Sequence, residues 1–185
     1  MNYNEVKAFD IHDLLAKRWS PKNFDPTKTL NDHEVRLLFE AARWTPSSFN
    51  AQPWNYAYTL RGEKGFDAMV ETLMPPNQAW AKDASVLILS IARKDYDGRV
   101  GSNRFAYYDL GAANMSLITQ ASAMGLYARQ MGGFSQAKAR DLLKLEENYD
   151  PVAFLAVGYL DPEIDPKNLK RSRKDTETFV RKFES

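Results

Sequence analysis

Pro46-Ser47-Ser48-Phe49-Asn50-Ala51-Gln52-Pro53-Trp54 stands between two patterned segments, and its reading decides how the rest is organised. Before it a helical pattern ends near Ala42, and after it a strand pattern begins at Trp54. Its two prolines fix φ and remove backbone donors, so the run connects elements and extends neither. Hydroxyls from Ser47 and Ser48 and carboxamides from Asn50 and Gln52 crowd into it, with Trp44 and Trp54 at its flanks. Such a set suits a flat, heteroatom-rich ring system whose edges need hydrogen bonds and whose faces need apolar cover. The alternative is a polar turn whose side chains satisfy local backbone groups.

Upstream, residues 4–17 place Val6, Phe9, Leu14 and Leu15 at amphipathic helical spacing. Asn31-Asp32-His33-Glu34 resembles a capping arrangement for a helix carrying Val35, Leu38, Phe39 and Ala42. Downstream, residues 54–60 read as an aromatic-rich strand, and Phe66, Met69, Val70 and Leu73 as a helix. Residues 85–92 form an unbroken apolar run, the mark of a strand covered on both faces.

Residues 105–124 are apolar nearly all round and seeded with Gly111, Ala112, Ala113, Ala121, Ser122 and Ala123. A helix without a wet face must be buried, and small residues let another helix or a subunit approach it closely. Gly125 ends it, residues 126–130 read as a strand, and Ser135 caps a helix bearing Leu142 and Leu143. Residues 152–160 are another buried strand. Beyond Asp161 the composition turns to Pro, Lys, Arg and Asp, an arm with a candidate final element at 178–183. The expectation is one α+β domain over residues 1–185, with 161–185 as its C-terminal extension.

Composition narrows the chemistry. A formal net charge of +1 gives no reason to expect nucleic acid or an acidic membrane surface as partner. The absence of cysteine excludes disulfides, thiolate nucleophiles and cysteine-ligated zinc or iron–sulfur centres. His12 and His33 both fall in helical patterns, which speaks against a metal site. No apolar run reaches membrane-span length and the N-terminus lacks signal-peptide character, so a cytoplasmic protein is expected. Redox chemistry in such a chain requires a bound organic cofactor.

Five blocks together resemble the nitroreductase family of FMN-dependent NAD(P)H oxidoreductases. The Pro46–Trp54 run is one. Lys17-Arg18-Trp19-Ser20-Pro21-Lys22-Asn23-Phe24 looks like the family's opening motif, and Asn77 followed by Asp83-Ala84-Ser85 like its middle block. Gly125-Leu126 with Met131-Gly132-Gly133-Phe134, and then Arg171-Ser172-Arg173, complete the set in family order over most of the chain. The resemblance implies a central, mainly antiparallel sheet flanked by helices, and a homodimer with FMN at the subunit interface. It also implies NADH or NADPH as donor and nitroaromatic or quinone-like acceptors. The implied cycle is ping-pong, with hydride passing through flavin N5 and no side chain needed as general acid or base.

The same resemblance assigns residues. Arg18, Ser20, Arg171 and Arg173 would surround the FMN phosphate, a task suited to guanidinium forks and a hydroxyl; from the sequence alone the last two also fit a solvated basic run. Trp19 sits within that opening motif. Lys22 would approach the pyrimidine edge, where an ammonium favours reduced flavin; the alternative is a surface lysine. Asn77 would offer its carboxamide to the same edge. Three residues on, some relatives carry a second basic residue; here Trp80 leaves that charge to Lys22 and suggests an aromatic wall in the substrate pocket. Met131, Gly132 and Gly133 would bring backbone close to the ring, although a tight turn explains the glycines equally. Pro46, Ser47, Ser48, Asn50 and Gln52 would serve the partner's flavin. Family members often shape the substrate pocket from the part of the chain holding Phe105, Tyr107 and Tyr108, but aromatics on a buried helix are more often core, so these three stay outside the site. A flavin-sequestering protein, or enone, aldehyde or dehalogenating chemistry on the same fold, is the alternative. No Rossmann fingerprint is present to choose between NADH and NADPH.

Overall fold

The computed structural model describes residues 10–96, 98, 101–169 and 171–184. At its centre lies a four-stranded sheet in the order β1-β2-β4-β3, every neighbouring pair antiparallel. The strands are β1 (Trp54–Leu60), β2 (Val86–Arg93), β3 (Tyr127–Met131) and β4 (Tyr149–Gly158). Alternation along the two middle strands feeds two cores. Leu87, Leu89, Phe154 and Ala156 face one side, where α3 (Phe66–Thr72), α4 (Pro75–Ala81) and α6 (Gln136–Leu143) pack. Val86, Ile88, Leu155 and Val157 face the other, under α2 (Asp32–Arg43) and α5 (Ala106–Ala123). A strand buried on both faces needs no polar alternation, and β2 has none. Pro151 is accommodated by a register shift opposite Ser90 and Ile91, where a missing ladder donor is tolerated.

The helix starts follow local chemistry. Asn31 accepts from the Glu34 amide at 3.0 Å while the Glu34 carboxylate accepts from the Asn31 amide at 2.8 Å, a complete capping box. Ser135 accepts from the Lys138 amide at 3.3 Å and starts α6 as expected. Gly125, at φ +73°, carries the chain out of α5 in a conformation that favours glycine.

Some expectations need correction. Helix α1 covers only Asp13–Lys17, and the expected stretch before residue 10 lies outside the described residues. His12 is its N-cap, accepting from the Leu14 amide at 3.2 Å, and so precedes the helix. Helix α4 is not among the expected elements; Pro75 and Pro76 open it, since prolines in the first turn lack only hydrogens that have no helical acceptor. Strand β3 is shifted one residue onward and β4 begins at Tyr149. The tail carries a 3-10 turn at Thr176–Thr178 in place of an element over 178–183.

Helix α5 is buried on one side only, and Phe105, Tyr107 and Tyr108 at its start are exposed and not part of the core. Leu110, Ala113, Leu117 and Ala121 face the core, while Gly111 and Ala123 are exposed and Ala112, Met115 and Thr119 half-buried. With Leu14, Ala41 and Trp44 that open face lines a groove of ≈ 610 Å³. Among the described residues no helix is long and apolar enough to cross a membrane.

Candidate functional site

Arg18 leaves α1 in extended conformation, and its Nη1 donates to Ser20 Oγ at 3.0 Å. The tail folds back over 153 residues so that Arg171 Nη1 donates to the Arg18 carbonyl at 3.1 Å. Burial, then the like charges of Arg173 and Arg171, push the Arg18 guanidinium below its ordinary pKa. Gathering cations against their own repulsion and with lost hydration is unfavourable until an anion joins them. The structure therefore brings Arg18, Ser20, Arg171 and Arg173 together in one cluster of positive charge.

The strip from Arg18 to Lys22 runs against β3. Trp19 meets Tyr127 edge-to-face, centroids 6.2 Å apart, and Arg129 Nη1 donates to the Ser20 carbonyl at 2.6 Å. Pro21 is fully buried and Phe24 is 3% exposed, so both sides of Lys22 are anchored while Lys22 itself faces solvent. Asn77, on α4, donates from Nδ2 to the Gly133 carbonyl at 3.0 Å. The Met74 amide donates to the same carbonyl at 2.9 Å. A Cβ on Gly133 would stand 2.8 Å from Asn77 Nδ2 and force that carboxamide to shift, whereas one on Gly132 would meet nothing within 4 Å. Neither glycine has positive φ, so a turn requiring left-handed backbone is not their reason.

Two sequence readings change here. Met131 is 4% exposed with its side chain in the core, which leaves only its main chain for a ligand. Trp80 is no pocket wall: it is 8% exposed, stacked on Phe24 at 6.2 Å, with the Arg129 guanidinium 5.4 Å from its ring centroid.

The Pro46–Pro53 loop is built differently. Ser47 Oγ accepts from the Gln52 amide at 3.0 Å, and Gln52 Nε2 donates to the Asn50 carbonyl at 3.3 Å. The Ser48 amide donates to Asp109 at 3.0 Å, a carboxylate that is 3% exposed on the first turn of α5. Phe49, Asn50 and Gln52 all take positive φ, at 53°, 55° and 45°. At Phe49 and Gln52 this costs on the order of 1–3 kcal/mol each, and less at Asn50, whose side chain tolerates it; strain of this kind gathers at working sites. The turn reading thus accounts for Ser47, while Asn50's carboxamide makes no hydrogen bond among the described residues. Pro46 is exposed. Beside the loop lies a cavity of ≈ 380 Å³ lined by Phe49, Asn50, Gln52, Asn55, Arg93 and Tyr96.

Hydrogen bonds tie Arg18 and Ser20 to each other, to Arg171 and to Arg129, and a separate bond ties Asn77 to Gly133. The loop's long-range bonds go instead to Asp109 and Tyr96. Sequence reasoning missed Arg129 and Asp109. Each had a faint signal, as a lone charge in an apolar strand and on an apolar helix.

The nitroreductase family model matches residues 15–73 and 60–159. Protein DrgA of Synechocystis sp. is 32% identical over 176 residues, which cover 80% of this chain and 83% of that protein. The oxygen-insensitive NAD(P)H nitroreductase of Salmonella typhimurium is 23% identical over 213 residues, covering 92% and 98%. A crystal structure of an oxidoreductase containing FMN superposes with a TM-score of 0.82 at 32% identity, covering 87% of this chain and 82% of that one. With its antiparallel sheet, its arginine cluster and matches spanning most of its length, the chain belongs to the nitroreductase family.

Proposed function

We propose that this chain binds FMN and passes electrons from NADH or NADPH to nitroaromatic or quinone-like acceptors, working as a cytoplasmic homodimer. Residues 1–185 act in this reading as one domain, with 161–185 the arm that delivers Arg171 and Arg173. The observation that carries it is the arginine cluster, where Arg18 donates to Ser20 and Arg171 folds back onto the Arg18 carbonyl, with Arg173 close enough to add its charge. A terminal phosphate relieves the repulsion among these charges and uses the Ser20 hydroxyl as a neutral donor.

FMN supplies the two-electron relay between nicotinamide and acceptor. The chain's own residues hold and bias it. Lys22, anchored on both sides with its ammonium free in solvent, places positive charge where reduction adds electrons. Asn77, its amide nitrogen engaged by Gly133, presents its oxygen to the same edge. Gly132 leaves room for close approach to its main chain. The loop's Ser47, Ser48, Asn50 and Gln52 complete the site of the other chain. Two features support this assignment: the loop's hydrogen bonds lead away from the arginine cluster, and the open α5 face with its small residues suits close packing by a second copy.

The test is spectroscopic. Purified protein should be yellow with one FMN per chain, and anaerobic NADH or NADPH should bleach it. Arg173→Ala should weaken FMN binding about 30-fold, from the loss of about 2 kcal/mol, and leave riboflavin binding nearly unchanged. Equal loss for both ligands contradicts the phosphate assignment. Bound FMN that neither nucleotide bleaches identifies a sequestering protein instead.

A further inference from the structure

Arg129 lies on β3, between residues assigned above to FMN, yet nothing so far gives it a task. Its Nη1 donates to the carbonyl of Ser20 at 2.6 Å, the residue between Arg18 and Lys22 along the strip. The same guanidinium sits 5.4 Å from the centroid of Trp80. Trp80 is held by its stack on Phe24 at 6.2 Å, and its indole nitrogen has no hydrogen-bond partner among the described residues, so its ring contacts set its orientation. Trp80 and Asn77 share α4, and Asn77 is bonded to Gly133. One guanidinium thereby joins β3, α4 and the strip. No carboxylate among the described residues pairs with it.

Arginine is suited to this place for a physical reason. Its flat face can lie over an indole while its edge donates in the plane to a carbonyl, and its charge persists at any working pH. Lysine has one compact ammonium and cannot satisfy both geometries. β3 is the edge strand of the sheet, and the side-chain bond from Arg129 fastens the strip beside it.

We propose that Arg129 is a positioning residue of the FMN site. It acts through the Ser20 carbonyl, fixing the Ser20 hydroxyl for the phosphate and the Lys22 ammonium for the ring. The proposal rests on the FMN reading above. The carbonyl that Arg129 holds belongs to Ser20 and leads through Pro21 to Lys22, so loosening it should disturb both tasks.

The experiment uses the full-length protein and compares wild type, Arg129→Met and Arg129→Lys. It measures FMN and riboflavin affinity and the midpoint potential of bound FMN. Arg129→Met should weaken FMN about tenfold, the value of a charge-assisted hydrogen bond, change riboflavin far less, and lower the potential. Arg129→Lys, which keeps the charge and one donor, should lose about threefold in FMN affinity and hold the potential near wild type. An Arg129→Met protein with unchanged FMN affinity and potential overturns the proposal. So does equal weakening of both ligands at constant potential, the result of lost packing alone. If the methionine variant does not fold, the lysine variant decides: a selective loss of FMN affinity supports the role and an unchanged affinity refutes it. A wild-type protein that binds no FMN removes the underlying reading itself.

Discussion

The arginine region and the Pro46–Pro53 loop are both rich in hydrogen-bonding groups, but they are held in opposite ways. The first is assembled by long-range contacts, Arg171 to the Arg18 carbonyl across 153 residues and Arg129 to the Ser20 carbonyl across 109. Its backbone is relaxed, and its cost is electrostatic: like charges gathered with reduced hydration. The loop is held mainly by itself, with Asp109 as its firm long-range partner, and its cost is conformational, three non-glycine residues at positive φ. One region gathers like charges; the other presents, in Asn50, a carboxamide without a hydrogen bond among the described residues. The difference teaches that the two regions answer to different perturbations, the first to charge and the second to backbone strain.

The largest effect should come from the centre of the charged region. Arg18→Ala removes the guanidinium that binds Ser20 and faces the other two, and should weaken FMN about 100-fold in an equilibrium titration. Riboflavin should bind that variant almost as it binds wild type. If the two ligands weakened alike, the division between a phosphate region and a ring region would fail.

Asp109 tests the loop in the same spirit. Asp109→Ala leaves the Ser48 amide without its acceptor and should cost about 1–3 kcal/mol of stability in a denaturant titration. Turnover should fall with it, while the ratio of FMN to riboflavin affinity stays constant. A change in that ratio would mean that the loop and the phosphate site are not separable.

Smaller effects sharpen the contrast. Asn50→Gly relieves a left-handed residue that asparagine already tolerates, so stability should rise by about 0.5 kcal/mol or less while turnover drops. A variant both more stable and fully active would show that the Asn50 carboxamide has no task. Raising the salt concentration from 0.05 to 0.5 M, a range chosen to span the steep part of screening, should weaken FMN by about two- to threefold and leave riboflavin unchanged.

Which parts were legible from sequence follows from how each is built. Strand β1 was read to its boundaries and β2 to within a residue, because aromatic and apolar runs report burial directly. The capping box of α2 was equally plain, since its partners lie three residues apart. Helix α4 was hidden by prolines that favour helix starts as much as loops. Trp80 was misjudged because whether an aromatic lines a pocket or fills a core depends on Phe24 and Arg129, which are distant in sequence. The convergence of Arg18 with Arg171 and Arg173 could be named only through the family resemblance. Periodicity carries no information across such a separation. Arg129 and Asp109 act through backbone groups of other segments, and no local pattern announces that.

The central claim is that the two regions meet in one site only across two chains. A Ser47→Ala/Asn50→Ala chain and an Arg18→Ala/Arg173→Ala chain, each nearly inactive alone, should be unfolded together and refolded as a mixture. In a heterodimer both lesions fall on one site and the other is intact. Random association should then restore about a quarter of wild-type NAD(P)H-dependent reductase activity, together with tight FMN binding at the intact site. Heterodimers demonstrated by mass spectrometry that recover neither activity nor FMN would contradict the account, because each chain would then build its site alone.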